Sequence, residues 1–337
     1  MGAWYLSSLT ARNGGISIAA MLRLLASYLA FAVVLPAAAF DLQGHRGARG
    51  LLPENSLPAF QRALEIGVTT LELDIAVTKD GVLVVHHDPA LNPDTTRDAS
   101  GRFLEGRGPV IHTLTWAELQ AYDIGRLKPG TAYAKSFPDQ QPVDGTRIPR
   151  LADLFDLVKR HGDERVRFDI ETKLSPDAPD ETPAPEAFAR ALVDEIRKAG
   201  MASRATIQSF DWRTLQVVQK IAPEIPTSYL SLQRRFDNIG VGRPEGSRWT
   251  AGFQYRDHGS VPRMIKAAGG ATWSVYFGDA TPALVKEAQS LGLKVLVWTV
   301  NEPQAIERML DMGVDGLITD RPDLGRKALE ARGIRWR

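Results

Sequence analysis

The 337-residue chain contains no cysteine. It therefore has no disulfide, thiolate metal site, cysteine nucleophile or lipid-modified cysteine. That absence is compatible with export but names no compartment. An excess of charge is also lacking: 41 Lys and Arg against 40 Asp and Glu leave a formal net charge of +1. So weak a field excludes a strongly basic nucleic-acid-binding surface as the organising feature. The composition, 44% hydrophobic and 24% charged, is that of an ordinary globular chain with enough apolar residues to build a core.

The chain has little in the way of long apolar runs. One uncharged stretch stands out, LLASYLAFAVVLPAAA at 24–39, with Arg23 just before it and Ala37-Ala38-Ala39 at its end. A basic flank, a short apolar stretch and small residues at −3 and −1 predict a secretory signal cleaved after Ala39. Met21 then serves as the natural start, with residues 1–20 an upstream extension. The run is shorter than the roughly 20 apolar residues of a spanning helix, and Pro36 interrupts it. A periplasmic or secreted protein with no stable membrane insertion after cleavage is the expectation.

The segment from His45 to Asp88 is dense in reactive residues. His45-Arg46-Gly47 follows a short strand, and Gly47 and Gly50 permit a tight turn or close approach of backbone to a ligand. Asn55 or Ser56 is suited to cap a helix whose stripe includes Leu57, Phe60 and Leu64 and which Gly67 closes. In Leu71-Glu72-Leu73-Asp74-Ile75 the apolar residues share one face of a strand and the two acids the other. Two like charges in a sheet or barrel interior are costly unless a cation compensates them. A turn at Thr78–Gly81 returns the chain as a strand over 82–86, delivering His87-Asp88. Downstream, Val166–Lys173 alternates in the same way, with Asp169, Glu171 and Lys173 on one face.

Residues 89–148, rich in Pro, Gly, Asp and Arg, read as an insertion with one helical piece at 115–121. Beyond them strands and helices alternate. Eight strands of βα type, starting at 41, 71, 166, 205, 227, 271, 295 and 316, predict an α/β fold, a (β/α)8 barrel over 40–337 with the insertion after the second strand region. A doubly wound sheet is the alternative. The polar residues His45, Glu72, Asp74, Glu171, Lys173, Gln208, Trp298, Asn301 and Asp320 gather at strand C-termini, where barrel active sites are built. Residues 232–269 resist assignment.

An ordered set of motifs runs from about residue 43 to 325: His45-Arg46-Gly47, Pro53-Glu54-Asn55-Ser56, Glu72-x-Asp74, Lys79-Asp80-Gly81, His87-Asp88, Ile170-Glu171-Thr172-Lys173, Gln208-Ser209-Phe210, Trp298-Thr299-Val300-Asn301 and Gly313–Asp320. This set resembles the glycerophosphodiester phosphodiesterase family. The resemblance implies a TIM barrel that hydrolyses glycerophosphodiesters to an alcohol and glycerol 3-phosphate with a divalent metal. It places the metal carboxylates on Glu72, Asp74 and Glu171 and the catalytic histidines on His45 and His87. Ser56, where Thr is frequent, and Thr172, where an apolar residue is common, are departures that leave the chemistry intact. All-oxygen ligands favour Ca²⁺, with Mg²⁺ the alternative, over Zn²⁺. Histidines with ordinary pKa values near ~6.5 suit acid and base roles. Arg46 offers a fork of donors to a phosphate, Lys173 a point charge, and Trp298 an apolar wall for the glycerol.

Each residue also has a plainer reading. Glu72 and Asp74 can be structural ion-pair partners, Arg46 one more, and His45 a capping or core residue. Of His86 and His87, which point to opposite faces, one is structural; the motif favours His87 for the site. Trp273 reads as core, Gln208 as a partner for a buried strand end, and His112, His161 and His258 as surface residues. Two further functions fit the same motifs: a lysophospholipase D or sphingomyelinase-D-like lipid phosphodiesterase, which needs an exposed apolar surface, and a non-catalytic metal-binding barrel.

Overall fold

The computed structural model describes residues 1–2, 39–234 and 236–337. The expected signal segment up to Ala38, with Arg23 and the start at Met21, lies outside the described residues. Residues 39–337 form one compact unit.

Eight parallel strands close into a barrel: β1 (Asp41–Gly44), β2 (Thr70–Val77), β4 (Arg167–Thr172), β5 (Ala205–Ser209), β6 (Thr227–Ser231), β7 (Thr272–Tyr276), β8 (Lys294–Trp298) and β9 (Gly316–Thr319). β1 closes the ring by pairing with β9 through Asp41↔Gly316 and with β2 through Gln43↔Thr70. The remaining strand, β3 (Leu83–Val85), runs antiparallel to the upper half of β2, Ile75 opposite Val85. The strand starts agree with those read from the sequence to within one residue.

The alternation of side chains along the strands decides what lies inside. Leu42, Leu71, Leu73, Ile75, Phe168, Ile170 and Ile207 are fully buried in the main apolar core. Helices α1 (Leu57–Ile66), α4 (Leu151–His161), α5 (Pro185–Lys198), α6 (Trp212–Ile221), α9 (Pro282–Ser290), α10 (Pro303–Met312) and α11 (Pro322–Ala331) contribute the facing residues, among them Phe60, Phe155, Phe188 and Trp212. Each such side chain contributes about 1.5–3 kcal/mol when removed from water. The opposite faces of the strands carry Gln43, Glu72, Asp74, Asp169, Glu171, Gln208, Ser228 and Ser274. The inside of the barrel is therefore largely polar, with Leu230, Leu296 and Ile318 among its apolar members, where such interiors are normally filled by branched apolar residues.

Two segments differ from the sequence reading. Between β3 and α4, the helical piece at 115–121 shortens to α2 (Trp116–Leu119), which Thr115 and Glu118 start as a capping box. A second helix, α3 (Ala132–Ser136), capped by Thr131, was not anticipated; five residues leave no room for a periodic apolar stripe. This region has its own small core of Ala76, Val84, Leu91, Ile111, Leu119, Ile124 and Ile148. The unassigned 232–269 stretch contains α7 (Tyr255–His258) and α8 (Val261–Ala267). His112 is half-buried rather than a free surface residue, its Nδ1 3.1 Å from the Val77 carbonyl.

The turn after β1 tolerates no side chain at Gly47. Its φ is +87°, and a Cβ there would lie 2.7 Å from the Ala59 carbonyl carbon of α1. Gly81 has a similar φ of +81° but open space around it. Gly47→Ala is expected to destabilise the fold by about 2–3 kcal/mol, lowering Tm by roughly 5–10 °C, and Gly81→Ala by no more than about 1 kcal/mol. Thermal melts of the two variants test this; equal Tm values would remove the close-packing argument for the turn.

Candidate active site

The site is assembled at the C-terminal ends of the strands, beginning with the turn after β1. Gly44 ends that strand where a Cβ would lie 2.2 Å from the Gly47 carbonyl oxygen. Arg46 adopts a left-handed backbone, φ +50°, and its N–H donates to Glu72 Oε2 at 2.9 Å. Asn55 is also left-handed, φ +53°; its N–H donates to the Arg46 carbonyl at 3.0 Å and its Nδ2 to Asp74 Oδ2 at 2.9 Å. Such conformations are costly for non-glycine residues and persist where the surroundings over-determine them. Of the two candidate caps for α1, Ser56 accepts from the Ala59 N–H, while Asn55 faces the site.

Glu72 and Asp74 on β2 and Glu171 on β4 converge, one oxygen of each within 4.8 Å of the others, and all three are buried. The parallel register sets Asp74 opposite Glu171. Two cations attend the three acids. Arg46 Nε is 3.2 Å from Asp74 Oδ2, and Lys173 Nζ is 2.9 Å from Glu171 Oε1 and 3.8 Å from Asp74 Oδ1. Gln208 Nε2 donates to Glu72 Oε1 at 2.7 Å, so its side chain serves the acidic cluster. Burial, reinforced by Asp74 and Glu171, pushes the Glu72 carboxyl well above its usual range. Burial also lifts Glu171 to about 7, against the opposing pull of Lys173. For Asp74 burial is outweighed by Arg46, His87 and Lys173, and the group stays ionised far below the usual range. Asp74 Oδ1 has no hydrogen-bond donor. An orphaned buried oxygen among three converging carboxylates, short of one positive charge, is a donor set that fits a hard divalent cation.

The two histidines flank this cluster. His45 Nε2 is 3.9 Å from Glu72 Oε2, and its Nδ1 is 2.7 Å from Asp320 Oδ1. Arg49 Nη2 also lies 3.2 Å from that Nδ1, but Arg49 is satisfied by Asp320, at 2.8 Å through Nε and 3.0 Å through Nη2. The shorter carboxylate contact therefore places the proton on Nδ1 and leaves Nε2 unprotonated towards the acids. Asn301 holds Asp320 in turn, its Nδ2 donating at 2.6 Å. His87 repeats the arrangement with Asp88, 2.7 Å from Nδ1, while Lys173 Nζ sits 3.0 Å from Nε2. Burial and then Arg49 lower His45 to about 4; burial, Arg46 and Lys173 lower His87 to about 4. Both imidazoles are neutral at ordinary pH. His86 is buried on the other face, with Nδ1 2.9 Å from the Asp88 carbonyl.

Trp298 borders the site from β8. Its Nε1 donates to the Ser274 carbonyl at 3.1 Å, and its ring meets Phe210 edge-on at 5.4 Å and Tyr276 at 5.7 Å. Trp273 is fully buried, as a core residue should be. The sequence reading gave no role to Glu54, Arg49, Asn55 as a side-chain ligand of Asp74, or Tyr133. Asp320 and Asn301 have no assigned role in the sequence; their signal there is a strand-end position and membership of the Trp298–Asn301 and Gly313–Asp320 motifs. The assembled groups can hold a cation, bind an anion beside it and move protons with two neutral imidazoles.

Comparison with known proteins agrees with this geometry. A family model described as the glycerophosphoryl diester phosphodiesterase family matches residues 45–324. A glycerophosphodiester phosphodiesterase of Caldanaerobacter subterraneus is 29% identical, with 83% of this chain and 93% of that protein covered. One from Bacillus subtilis is 28% identical, with 84% of each covered. A solved structure from Silicibacter pomeroyi, whose name places it provisionally in the same family, superposes with a TM-score of 0.79 at 39% identity, covering 89% of this chain and 96% of that one. The chain belongs to the glycerophosphoryl diester phosphodiesterase family and is a phosphodiesterase of the hydrolase class.

Proposed function

We propose that this protein hydrolyses glycerophosphodiesters to an alcohol and sn-glycerol 3-phosphate, as an exported enzyme of glycerophospholipid breakdown. The observation that carries the reading is the meeting, on one barrel face, of an acidic triad, two neutral imidazoles and two fixed cations. A divalent cation held by Glu72, Asp74 and Glu171, Ca²⁺ by preference and Mg²⁺ as the alternative, would polarise phosphoryl oxygens and ease ionisation of a nearby hydroxyl. Arg46 and Lys173 take the anionic phosphoryl oxygens, the first through its fork of donors and the second as a point charge. His45, its tautomer fixed by Asp320, presents the lone pair of Nε2 and accepts a proton there. His87, fixed by Asp88, receives or returns a proton at Nε2 once Lys173 turns to the phosphate. Trp298 walls the glycerol side. A non-catalytic barrel would not need two imidazoles, each with its own orienting carboxylate.

One observation favours the lipid-directed alternative as a second reading. Apart from Met1, the exposed large hydrophobics among the described residues are Phe236 and Val241, both in the 232–269 stretch. Phe236 packs on Phe210 at 5.9 Å and on Trp249 at 4.6 Å, and Phe210 on Trp298, so an aromatic row leads from the site to the surface. Comparing turnover of glycerophosphocholine and lysophosphatidylcholine separates the two. The first reading expects the former to be at least about tenfold faster in kcat/KM, and the reverse order would establish the lipid reading.

Chelation is expected to abolish diester turnover and Ca²⁺ or Mg²⁺ to restore it. Glu72→Ala is expected to lower kcat by about 10³-fold, and His45→Ala or His87→Ala by about 10²–10⁴-fold. Activity near wild type in any of these would sink the mechanism.

The neutral histidines also predict a pH dependence of stability. Their folded values of about 4 lie below the ordinary 6.5, so the unfolded chain takes up protons that the folded chain refuses. Stability from these groups is full above about 6.5 and is lost as pH falls towards about 4. In chelator the raised Glu72 and Glu171 carboxyls oppose this loss, because they take up protons in the folded chain. The histidine contribution is therefore read by difference: the Tm of His87→Gln relative to wild type should rise as pH falls from about 6.5 towards about 4, and a difference indifferent to pH there would contradict the neutral-imidazole assignment.

A further inference from the structure

Among the contacts of the insertion with the site, one bears on the acid that holds Arg46. Tyr133, on α3, donates its hydroxyl to Glu54 Oε2, and Arg49 Nη1 donates to the same hydroxyl at 3.2 Å. Glu54 Oε1 accepts from Arg46 Nη1 at 2.8 Å. The helix is held in place from several sides: Tyr133 packs edge-on against Phe137, Arg49 lies over the Phe137 ring at 4.6 Å, and Gln140 Nε2 donates to the Arg49 carbonyl at 2.7 Å.

Arg46 stands between two carboxylates with different duties. Its Nη1 is on Glu54, while its Nε is 3.2 Å from Asp74 Oδ2 without the alignment of a hydrogen bond. Asp74 Oδ2 is already engaged by Asn55 Nδ2, whereas Oδ1 lacks a donor. A guanidinium released from Glu54 has a better arrangement available, a bidentate pair with Asp74 that takes both oxygens. That pair would consume the oxygen the cation needs, and withdraw the fork that the phosphate needs.

We propose that Tyr133 and Glu54 form a counter-clamp that holds Arg46 off the acidic triad, making Tyr133 a positioning residue through which the insertion sets cation affinity. This rests on the cation-site reading above. Tyr133→Phe is the cleaner probe because it changes no charge.

Calcium and magnesium binding to the metal-free full chain, measured by calorimetry, tests the clamp. The dissociation constant is expected to rise about threefold in Tyr133→Phe and about tenfold in Glu54→Gln, with the Tm of the metal-free forms within about 3 °C of wild type. In an Arg46→Gln background, Tyr133→Phe should have no further effect, because the competitor is gone. Unchanged affinity in both single variants, or the same loss with and without Arg46, would overturn the clamp. If the wild-type chain binds neither ion, the cation-site reading has failed. The ¹⁵N resonance of Arg46 Nε then decides the clamp, which predicts a shift in Tyr133→Phe and is overturned by an unmoved signal.

Discussion

Three carboxylates buried within 4.8 Å of one another are the constraint to which the rest of the site answers. Removing an ionised carboxylate from water carries an effective penalty of several kcal/mol, and mutual repulsion adds to it. Glu72 receives the Arg46 N–H and the Gln208 amide, Asp74 the Asn55 amide and the Arg46 guanidinium, and Glu171 the Lys173 ammonium. These contacts explain features that would otherwise be unexplained strain. Arg46 is left-handed because its N–H must face Glu72, and Gly47 is glycine because the chain must then pass against α1. Even so the compensation is incomplete, as the raised Glu72 and Glu171 carboxyls show.

The barrel makes such a concentration of charge possible. Alternation puts the apolar half of each strand under the helices, where Leu71, Leu73, Phe168 and Ile170 are fully buried, so the inward half is free to be polar. Parallel register aligns strand ends, which sets Asp74 beside Glu171 although 97 residues separate them. The fold's stability is thus supplied by its outer interface. The interior is released for chemistry, and neither has to serve both ends.

That division also governs what could be read from the sequence. Glu72-x-Asp74 and Glu171-x-Lys173 were legible because a strand's period of two is local: the apolar neighbours announce which face the acids occupy. The same alternation separated His87 from His86. The eight strands were legible because each is bounded by glycine, proline or a capping residue before the next helix. The second layer was not. Asp320 reaches His45 across 275 positions, Gln208 reaches Glu72 across 136, and Tyr133 reaches Glu54 across 79. No periodicity links such pairs. Tyr133 lies in a five-residue helix within a segment whose own small core leaves no long apolar pattern. Asp320 and Asn301 are visible as polar residues at strand ends and as members of motifs, but without a partner attached.

The two histidines look equivalent in sequence but are not so in the structure. Each has Nδ1 on a carboxylate, and burial keeps each neutral. They differ at Nε2. His45 Nε2 lies across from Glu72, with no donor placed on it among the described residues, whereas His87 Nε2 is already engaged by the Lys173 ammonium. Lys173 is shared with Glu171, so its proton donors are divided between an acid of the triad and an imidazole. An arriving phosphate competes for that ammonium with both. Charge brought by a substrate therefore changes the environment of His87 more directly than that of His45. Arg49 and Asp320 fix His45 from behind, independently of Lys173. The acidic cluster thus has one imidazole whose state is set by the scaffold and one whose state is set by whatever Lys173 holds.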